Sequence, residues 1–256
     1  MIHVLKSLII AFSIYSKIPV PQFDWKEEDM RYILIFFPWV GAFIGVLIYL
    51  WNCLCNIMNI GDIAYVMIGS VIPLLITGGF HADGFIDTMD AFHSYQPREK
   101  KLEILKDSHI GAFAVIMFAV YGMIYIGAFS EIKDERLLKI VCGEFFLSRC
   151  LSGISVVSFT SAKKEGTLYL FASSSQKKVV KWLLYMQSIA CIFFMLSQSL
   201  YLGLIVVVAA LLTFLYYYYR TKKELGGITG DTAGYFILIS ELSMLVAAAV
   251  TNIFLR

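Results

Sequence analysis

His81-Ala82-Asp83-Gly84-Phe85-Ile86-Asp87-Thr88-Met89-Asp90 follows directly on an apolar run that ends near residue 80. Asp83, Asp87 and Asp90 fall at i, i+4 and i+7, the spacing of one helix face. Three like charges on one face repel each other and weaken a helix unless a cation offsets them. Hard divalent cations take oxygen ligands, commonly one or two carboxylates together with substrate phosphate oxygens. Carboxylates beside a membrane-grade apolar segment are costly to place and point to function. The stretch therefore predicts a helix at a membrane surface that carries a Mg²⁺–phosphate site.

Working outward, the rest of the chain reads as an integral membrane protein. Hydrophobic residues make up 59% of the 256 and charged residues 16%, whereas a soluble domain carries about 25% charge. A helix needs about 20 apolar residues to cross the hydrocarbon core. Seven stretches qualify: roughly 32–54, 63–80, 111–129, 138–160, 180–199, 201–219 and 234–255. The fifth and sixth have no charged break and are divided near Ser197-Gln198-Ser199. Residues 1–15 are apolar but short, and include His3 and Lys6. They read equally as an eighth span, a re-entrant segment or an interfacial helix. Pro38 and Pro73 lie inside spans as candidate kinks. The fold expected is an all-α polytopic bundle, one domain over 1–256, with no linker or internal repeat.

Charge gives the orientation. With 81–110 in the cytoplasm, segments 16–31, 161–179 and 220–233 fall on the same side. Counting residues at the span ends, that side holds fifteen Lys and Arg, and the other holds four (Lys133, Arg136, Lys139 and Arg256). Such asymmetry marks the cytoplasmic side. It predicts a multi-pass protein of the inner, cytoplasmic membrane whose acidic stretch faces the cytoplasm. A net charge of +2 gives no footprint for a nucleic-acid partner. Cys53, Cys55, Cys142, Cys150 and Cys191 lack metal-ligand spacing and read as small buried hydrophobes. The N-terminal apolar run leads into Lys17-Ile18-Pro19-Val20-Pro21, which is no cleavage site of a signal peptide.

Further chemistry lies in four places. Lys106-Asp107-Ser108-His109-Ile110-Gly111 follows an expected cytoplasmic helix between Arg98 and Asp107 and abuts a span. There Asp107 is a candidate fourth metal carboxylate, and Lys106 and Ser108 are candidate phosphate contacts. Gly78-Gly79 fits a phosphate-binding turn. Gly226-Gly227-Ile228-Thr229-Gly230-Asp231 resembles a turn whose amides hold an anion, with Gly227, Thr229, Gly230 and Asp231 as candidate contacts. Glu144, Arg149 and Glu241 are charges at membrane depth. Arg149 has no clean i,i+4 acid and is expected to reach across to a carboxylate or a substrate phosphate. Tyr216–Tyr219 reads as an interfacial belt.

Three of these motifs in this order, Thr77-Gly-Gly-Phe-His-Ala-Asp-Gly-Phe-Ile-Asp-Thr-Met-Asp90, Lys106-Asp-Ser-His-Ile-Gly111 and Gly226-Gly-Ile-Thr-Gly-Asp231, resemble the cobalamin synthase family. Ser16-Lys17-Ile18-Pro19 is similar to that family's N-terminal Thr-Arg-(Leu/Ile)-Pro segment. The resemblance implies a membrane transferase that joins adenosylcobinamide-GDP to α-ribazole or its 5′-phosphate, with release of GMP and with Mg²⁺ as the metal. It implies these substrates, membrane lipid, and a second copy or other cobamide-assembly enzymes as partners. On that reading Asp83 and Asp87, with Asp107 or Asp90, hold the metal. Asp90 takes the hydroxyl proton, with His81 as the alternative base. Lys106 and Arg149 offset phosphate charge, and the 226–231 loop cradles a nucleotide or the α-ribazole phosphate. The chain departs from the family pattern at Ala91, where Gly is usual, and at His109 and Lys17, where Arg is usual. His109 is only partly charged at neutral pH, which weakens a phosphate contact there. A CDP-alcohol phosphotransferase is the near alternative, opposed by the short Asp87-Thr-Met-Asp90 spacing. An ion-coupled transporter is the distant one, opposed by acids gathered at one membrane face without a repeat.

Overall fold

The computed structural model describes residues 2–107, 109–163 and 166–255. Among them the regular structure is helical, in eleven α-helices with one short 3₁₀ turn at Glu27–Met30. In chain order they are α1 (Ile2–Tyr15), α2 (Ile33–Met58), α3 (Asp62–Thr77), α4 (Phe80–His93), α5 (Arg98–Ile104) and α6 (Ala112–Phe129). Then follow α7 (Glu135–Ser158), α8 (Thr167–Ser174), α9 (Lys177–Gln198), α10 (Leu200–Leu225) and α11 (Gly230–Leu255). Six of these, α2, α6, α7, α9, α10 and α11, are long and apolar enough to cross a membrane, and α3 with α4 makes a seventh if the bent pair counts as one span.

Six of the seven expected spans are present with shifted ends, and the second, 63–80, is the 16-residue α3, which reaches span length only together with the bent α4. α9 and α10 divide at Ser199, whose hydroxyl accepts the Leu202 N–H and caps α10. α10 runs on to Leu225 because Arg220, Lys222 and Lys223 tolerate helix as well as loop, and α11 begins at Gly230 rather than 234. Pro38 and Pro73 sit inside continuous helices α2 and α3. The cytoplasmic helix expected between Arg98 and Asp107 is α5, which stops at Ile104.

The burial pattern ranks the helices. α7 is buried along most of its surface from Leu137 to Val156, with Lys139, Cys142 and Phe146 half-buried on one side, which makes it the central post of the bundle. α2, α9 and α11 pack around it. α6, α9 and α10 turn one apolar side outward, with Ile116, Met186 and Leu212 well exposed, as expected of lipid-facing helices. With 14 residues, α1 is about 21 Å long at 1.5 Å per residue, short of the roughly 30 Å core. It lies against α2 and is pinned by buried Asp29, whose carboxylate meets His3 Nδ1 at 2.7 Å and Lys6 Nζ at 3.6 Å.

Segments assigned to one membrane side by charge meet at one end of the bundle. The Lys17 amide donates to the Ile76 carbonyl at 2.7 Å. Lys101 pairs with Glu224. Thr160 and Ala162 bridge to Ile228 through backbone bonds of 2.9 and 2.8 Å. At the other end Tyr49 donates to Glu135 at 3.0 Å and Asn252 to the Glu131 carbonyl at 3.2 Å.

Candidate active site

The acidic stretch forms α4, and its direction is set by Gly78-Gly79. Both glycines are left-handed, at φ 62° and 77°, and their amides close α3 on the Leu75 and Leu74 carbonyls. The pair expected to bind phosphate is thus the C-terminal cap of α3. It turns the chain by 91° and lays α4 across the bundle end. Asp83 is exposed on α4, Asp87 and Asp90 are half-buried, and His81 is buried.

α4 crosses α11 at a glycine contact. A Cβ on Gly84 would stand 2.6 Å from the Asp231 carbonyl oxygen, and one on Gly234 would stand 3.1 Å from the His81 carbonyl oxygen. Nothing larger than hydrogen fits at Gly84 without moving α11. This close crossing brings the acidic stretch and the C-terminal glycine motif together. The charges of Asp83, Asp231 and Asp90 all act on Asp87, and Lys163 acts on Asp231.

Asp90 has a different environment from its two neighbours. Its Oδ2 accepts the Gly111 N–H at 2.5 Å. Asp107, expected as a metal carboxylate, is instead turned to His109: Oδ1 accepts the His109 N–H at 3.0 Å and meets Nδ1 at 2.6 Å. That pair holds the Asp107 carboxyl below its usual value and the His109 ring above its own, the direct hydrogen bond being the main cause of both. Lys106 is exposed beside it. Ser108 lies outside the described residues.

The 226–231 loop is built differently from an anion cradle. Gly226 and Gly227 amides donate to Lys222 and Thr221, Ile228 to Thr160, and Thr229 to Thr232 Oγ1. Thr229 Oγ1 in return accepts the Thr232 N–H at 3.2 Å, which caps α11. Arg98 packs on Gly226 and the 160–162 backbone on Gly227, each filling the place of a side chain. The loop fixes the start of α11, and so Gly230 and Asp231, against α4.

Arg149 is buried and spans from α7 to Glu241 on α11, with Nη1 to Oε1 at 2.6 Å and Nη1 to the Phe145 carbonyl at 2.8 Å. Glu144 is buried on the same helix. The sequence pointed to a reach across helices, and a carboxylate receives it.

An open groove of about 750 Å³ runs along the front of α4, lined by Lys17, Thr77, Gly78, Gly79, Ala82 and Asp83 among others. The Lys17 stem lies over Gly78, where a Cβ would stand 2.2 Å from Lys17 Cε. Lys17 and Lys163 therefore join the site, though neither was singled out as a ligand. The charge asymmetry that placed their loops on one side was a signal for both, and the family-like Ser16-Lys17-Ile18-Pro19 segment was a second one for Lys17.

A hard cation fits this donor chemistry, since Asp83, Asp87 and Asp231 offer only carboxylate oxygens from two crossing helices. Among the described residues no three His, Cys, Asp or Glu side chains stand close enough together to enclose an ion as they are oriented here. Side-chain rotation and substrate oxygens would have to complete a shell.

Comparison with known proteins places the chain in a family. The family model described as Cobalamin-5-phosphate synthase matches residues 7–249. Adenosylcobinamide-GDP ribazoletransferase of Lachnoclostridium phytofermentans is 41% identical over 250 residues, covering 97% of this chain and 95% of the relative. The protein of that name from Clostridium botulinum (strain Eklund 17B / Type B) is 33% identical, with 96% and 98% covered. That from Listeria monocytogenes is 29% identical, with 90% and 92% covered. No solved structure matches the chain. With the family model matching almost from end to end, and a relative 41% identical over 97% of the chain, the chain belongs to the cobalamin-5-phosphate synthase family.

Proposed function

We propose that this protein joins adenosylcobinamide-GDP to α-ribazole or its 5′-phosphate at the α4–α11 crossing, with GMP as the other product. The relatives' shared name supplies the reaction. The observation that carries the site is the contact of Gly84 with Asp231, which gathers Asp83, Asp87 and Asp231 beside the groove.

The reaction is a phosphoryl transfer. A ribose hydroxyl of the α-ribazole attacks the phosphorus on the cobinamide side. The new P–O bond forms as the bond to the GMP oxygen breaks, and the hydroxyl proton passes to a carboxylate of the cluster. Asp83, Asp87 and Asp231 would hold Mg²⁺, which would supply positive charge to the phosphate oxygens. Positioning and electrostatics dominate such transfers. Lys17 at the groove mouth and Lys163 beside Asp231 add positive charge for the diphosphate. Asp90 holds the 107–111 segment in place through Gly111, so we assign it a positioning role. The same charge asymmetry that unites the loops supports a cytoplasmic-membrane protein with this end toward the cytoplasm.

The test is GMP release by detergent-purified protein given adenosylcobinamide-GDP and α-ribazole 5′-phosphate, with Mg²⁺ or with chelator. Metal-dependent GMP and a cobamide phosphate are expected. Absence of product from folded protein with either ribazole substrate contradicts the proposal.

A further inference from the structure

The start of α9 carries positive charge that the protein itself does not balance. Lys177, Lys178 and Lys181 stand in its first two turns, and residues 166–199 include no aspartate or glutamate. Other lysines meet acids: Lys100 pairs with Glu103, Lys133 with Asp62 and Lys139 with Glu135. Among the described residues no carboxylate pairs with Lys177, Lys178 or Lys181. Like charges one turn apart, as at Lys177 and Lys181, weaken a helix. All of this favours an anion supplied from outside the chain.

The same helix side runs on into the bilayer. Lys178, Trp182, Tyr185 and Ile189 fall at i, i+4, i+7 and i+11, which is one face. Trp182 is 72% exposed, and Phe193, further along, is 75% exposed. Val180, Leu184 and Ser188 on the other side are buried. With 22 residues α9 is about 33 Å long, close to the roughly 30 Å hydrocarbon core. Its first turn therefore stands at headgroup level, and Trp182 and Tyr185 lie just below, where such rings collect. Lys181 Nζ is 5.8 Å from the centre of the Tyr185 ring, so charge and aromatic belt adjoin. α8, separated from α9 by Ser175 and Gln176 alone, exposes Tyr169 and Leu170.

Whatever balances these lysines thus borders hydrocarbon. A free anion or an acidic soluble protein meets the charges and leaves the apolar face bare. A phospholipid covers both, with phosphate on the lysines and acyl chains along Trp182 and Ile189. The headgroup follows from charge. Choline or ethanolamine brings its own cation to the phosphate, whereas an uncharged alcohol such as glycerol leaves the phosphate for the protein to neutralise.

We infer that the first turns of α9 bind an anionic phospholipid, drawn from the leaflet at the site end of the bundle. Lys177, Lys178 and Lys181 hold its phosphate, and Trp182 packs beside its chain. The inference is independent of the transfer reaction proposed above, since no residue of that site takes part.

Native mass spectrometry of the detergent-purified protein tests this, with phosphatidylglycerol and phosphatidylcholine of the same chains. The wild type should bind its first phosphatidylglycerol at least about tenfold more tightly than phosphatidylcholine. Each single Lys→Gln substitution should raise the phosphatidylglycerol Kd about fivefold, the equivalent of about 1 kcal/mol for one basic residue at an anionic surface. Lys177→Gln/Lys178→Gln/Lys181→Gln together should abolish the preference, and the matching triple Lys→Arg variant should keep it. Lys222→Gln/Lys223→Gln, on α10 at the same end of the bundle, should leave it intact, and free glycerol 3-phosphate should not displace the lipid. Equal affinity of the wild type for the two lipids would overturn the inference, as would a preference that survives the triple Gln variant. An equal loss in the α10 variant would show a diffuse attraction in place of a site, and displacement by glycerol 3-phosphate would show a site for a soluble anion; either would overturn it too.

Discussion

Asp90 Oδ2 accepts the Gly111 N–H at 2.5 Å, and a Cβ on Gly111 would stand 2.1 Å from Asp90 Oδ1. This contact ties the end of the acidic stretch to the end of the Lys106–Gly111 motif, two segments that the sequence places 21 residues apart. It requires a glycine at one partner and a hydrogen-bond acceptor at the other. Gly111→Ala should lower GMP release at least tenfold while the protein still inserts. Asp90→Ala should destabilise by about 2 kcal/mol, the worth of a hydrogen bond to a charged group. Asp90→Asn, which keeps an acceptor, should lose less stability. Thermal unfolding in detergent beside the turnover assay checks the ranking.

The α4–α11 crossing gives a second expectation. Gly84→Ala puts a methyl group 2.6 Å from the Asp231 carbonyl oxygen. The helices must move apart, and a displacement of about 1 Å costs up to a hundredfold in rate. The expected signature is a lower kcat with little change in the quantity of folded protein. Unchanged kcat in Gly84→Ala would mean that the crossing does not set the site.

Arg149 and Glu241 form a buried pair, and removing one member leaves a bare charge. Glu241→Leu should destabilise by about 3–5 kcal/mol. Adding Arg149→Met to that variant should restore most of the loss, because apolar pairs often replace buried ion pairs at little cost. A double variant no more stable than the single one would show that the pair's geometry, and not its charge balance, holds α7 to α11.

The exposed Asp107–His109 pair makes a pH prediction. The His109 pKa is raised above its ordinary 6.5, so its contribution is full below that value and is lost as pH climbs through the raised pKa. The Asp107 pKa is lowered from 3.8, so its contribution is present above that value and is lost as pH falls through the lowered pKa. The pair is therefore fully formed between 3.8 and 6.5, and weakens on either side as each group titrates. An NMR titration of the His109 ring should give a midpoint above 6.5, returning to about 6.5 in Asp107→Asn.

The span pattern and the acidic helix face were legible because hydrophobic length and i, i+4, i+7 spacing are local properties. Contacts between distant segments were not. Asp231 looked like part of an anion turn because a run of glycines reads the same whether it binds phosphate or admits a neighbouring backbone. Here Gly226 admits Arg98 and Gly227 the 160–162 backbone. Asp107 looked like an extension of the acid group from proximity in sequence alone, yet it is turned to His109. Gly78-Gly79 beside three aspartates suggested a ligand turn, where the chain needed a 91° bend.

The central claim is that Asp231 on α11 works with Asp83 and Asp87 on α4 as one metal-binding group. The most direct test is the Mg²⁺ dependence of GMP release in Asp231→Asn, measured beside Asp83→Asn and wild type. Both variants should lose at least about a hundredfold in turnover, the scale set by removing one group that stabilises the transition state. Any remaining activity should need far more Mg²⁺ for half-saturation. Wild-type turnover and wild-type Mg²⁺ dependence in Asp231→Asn would contradict the account.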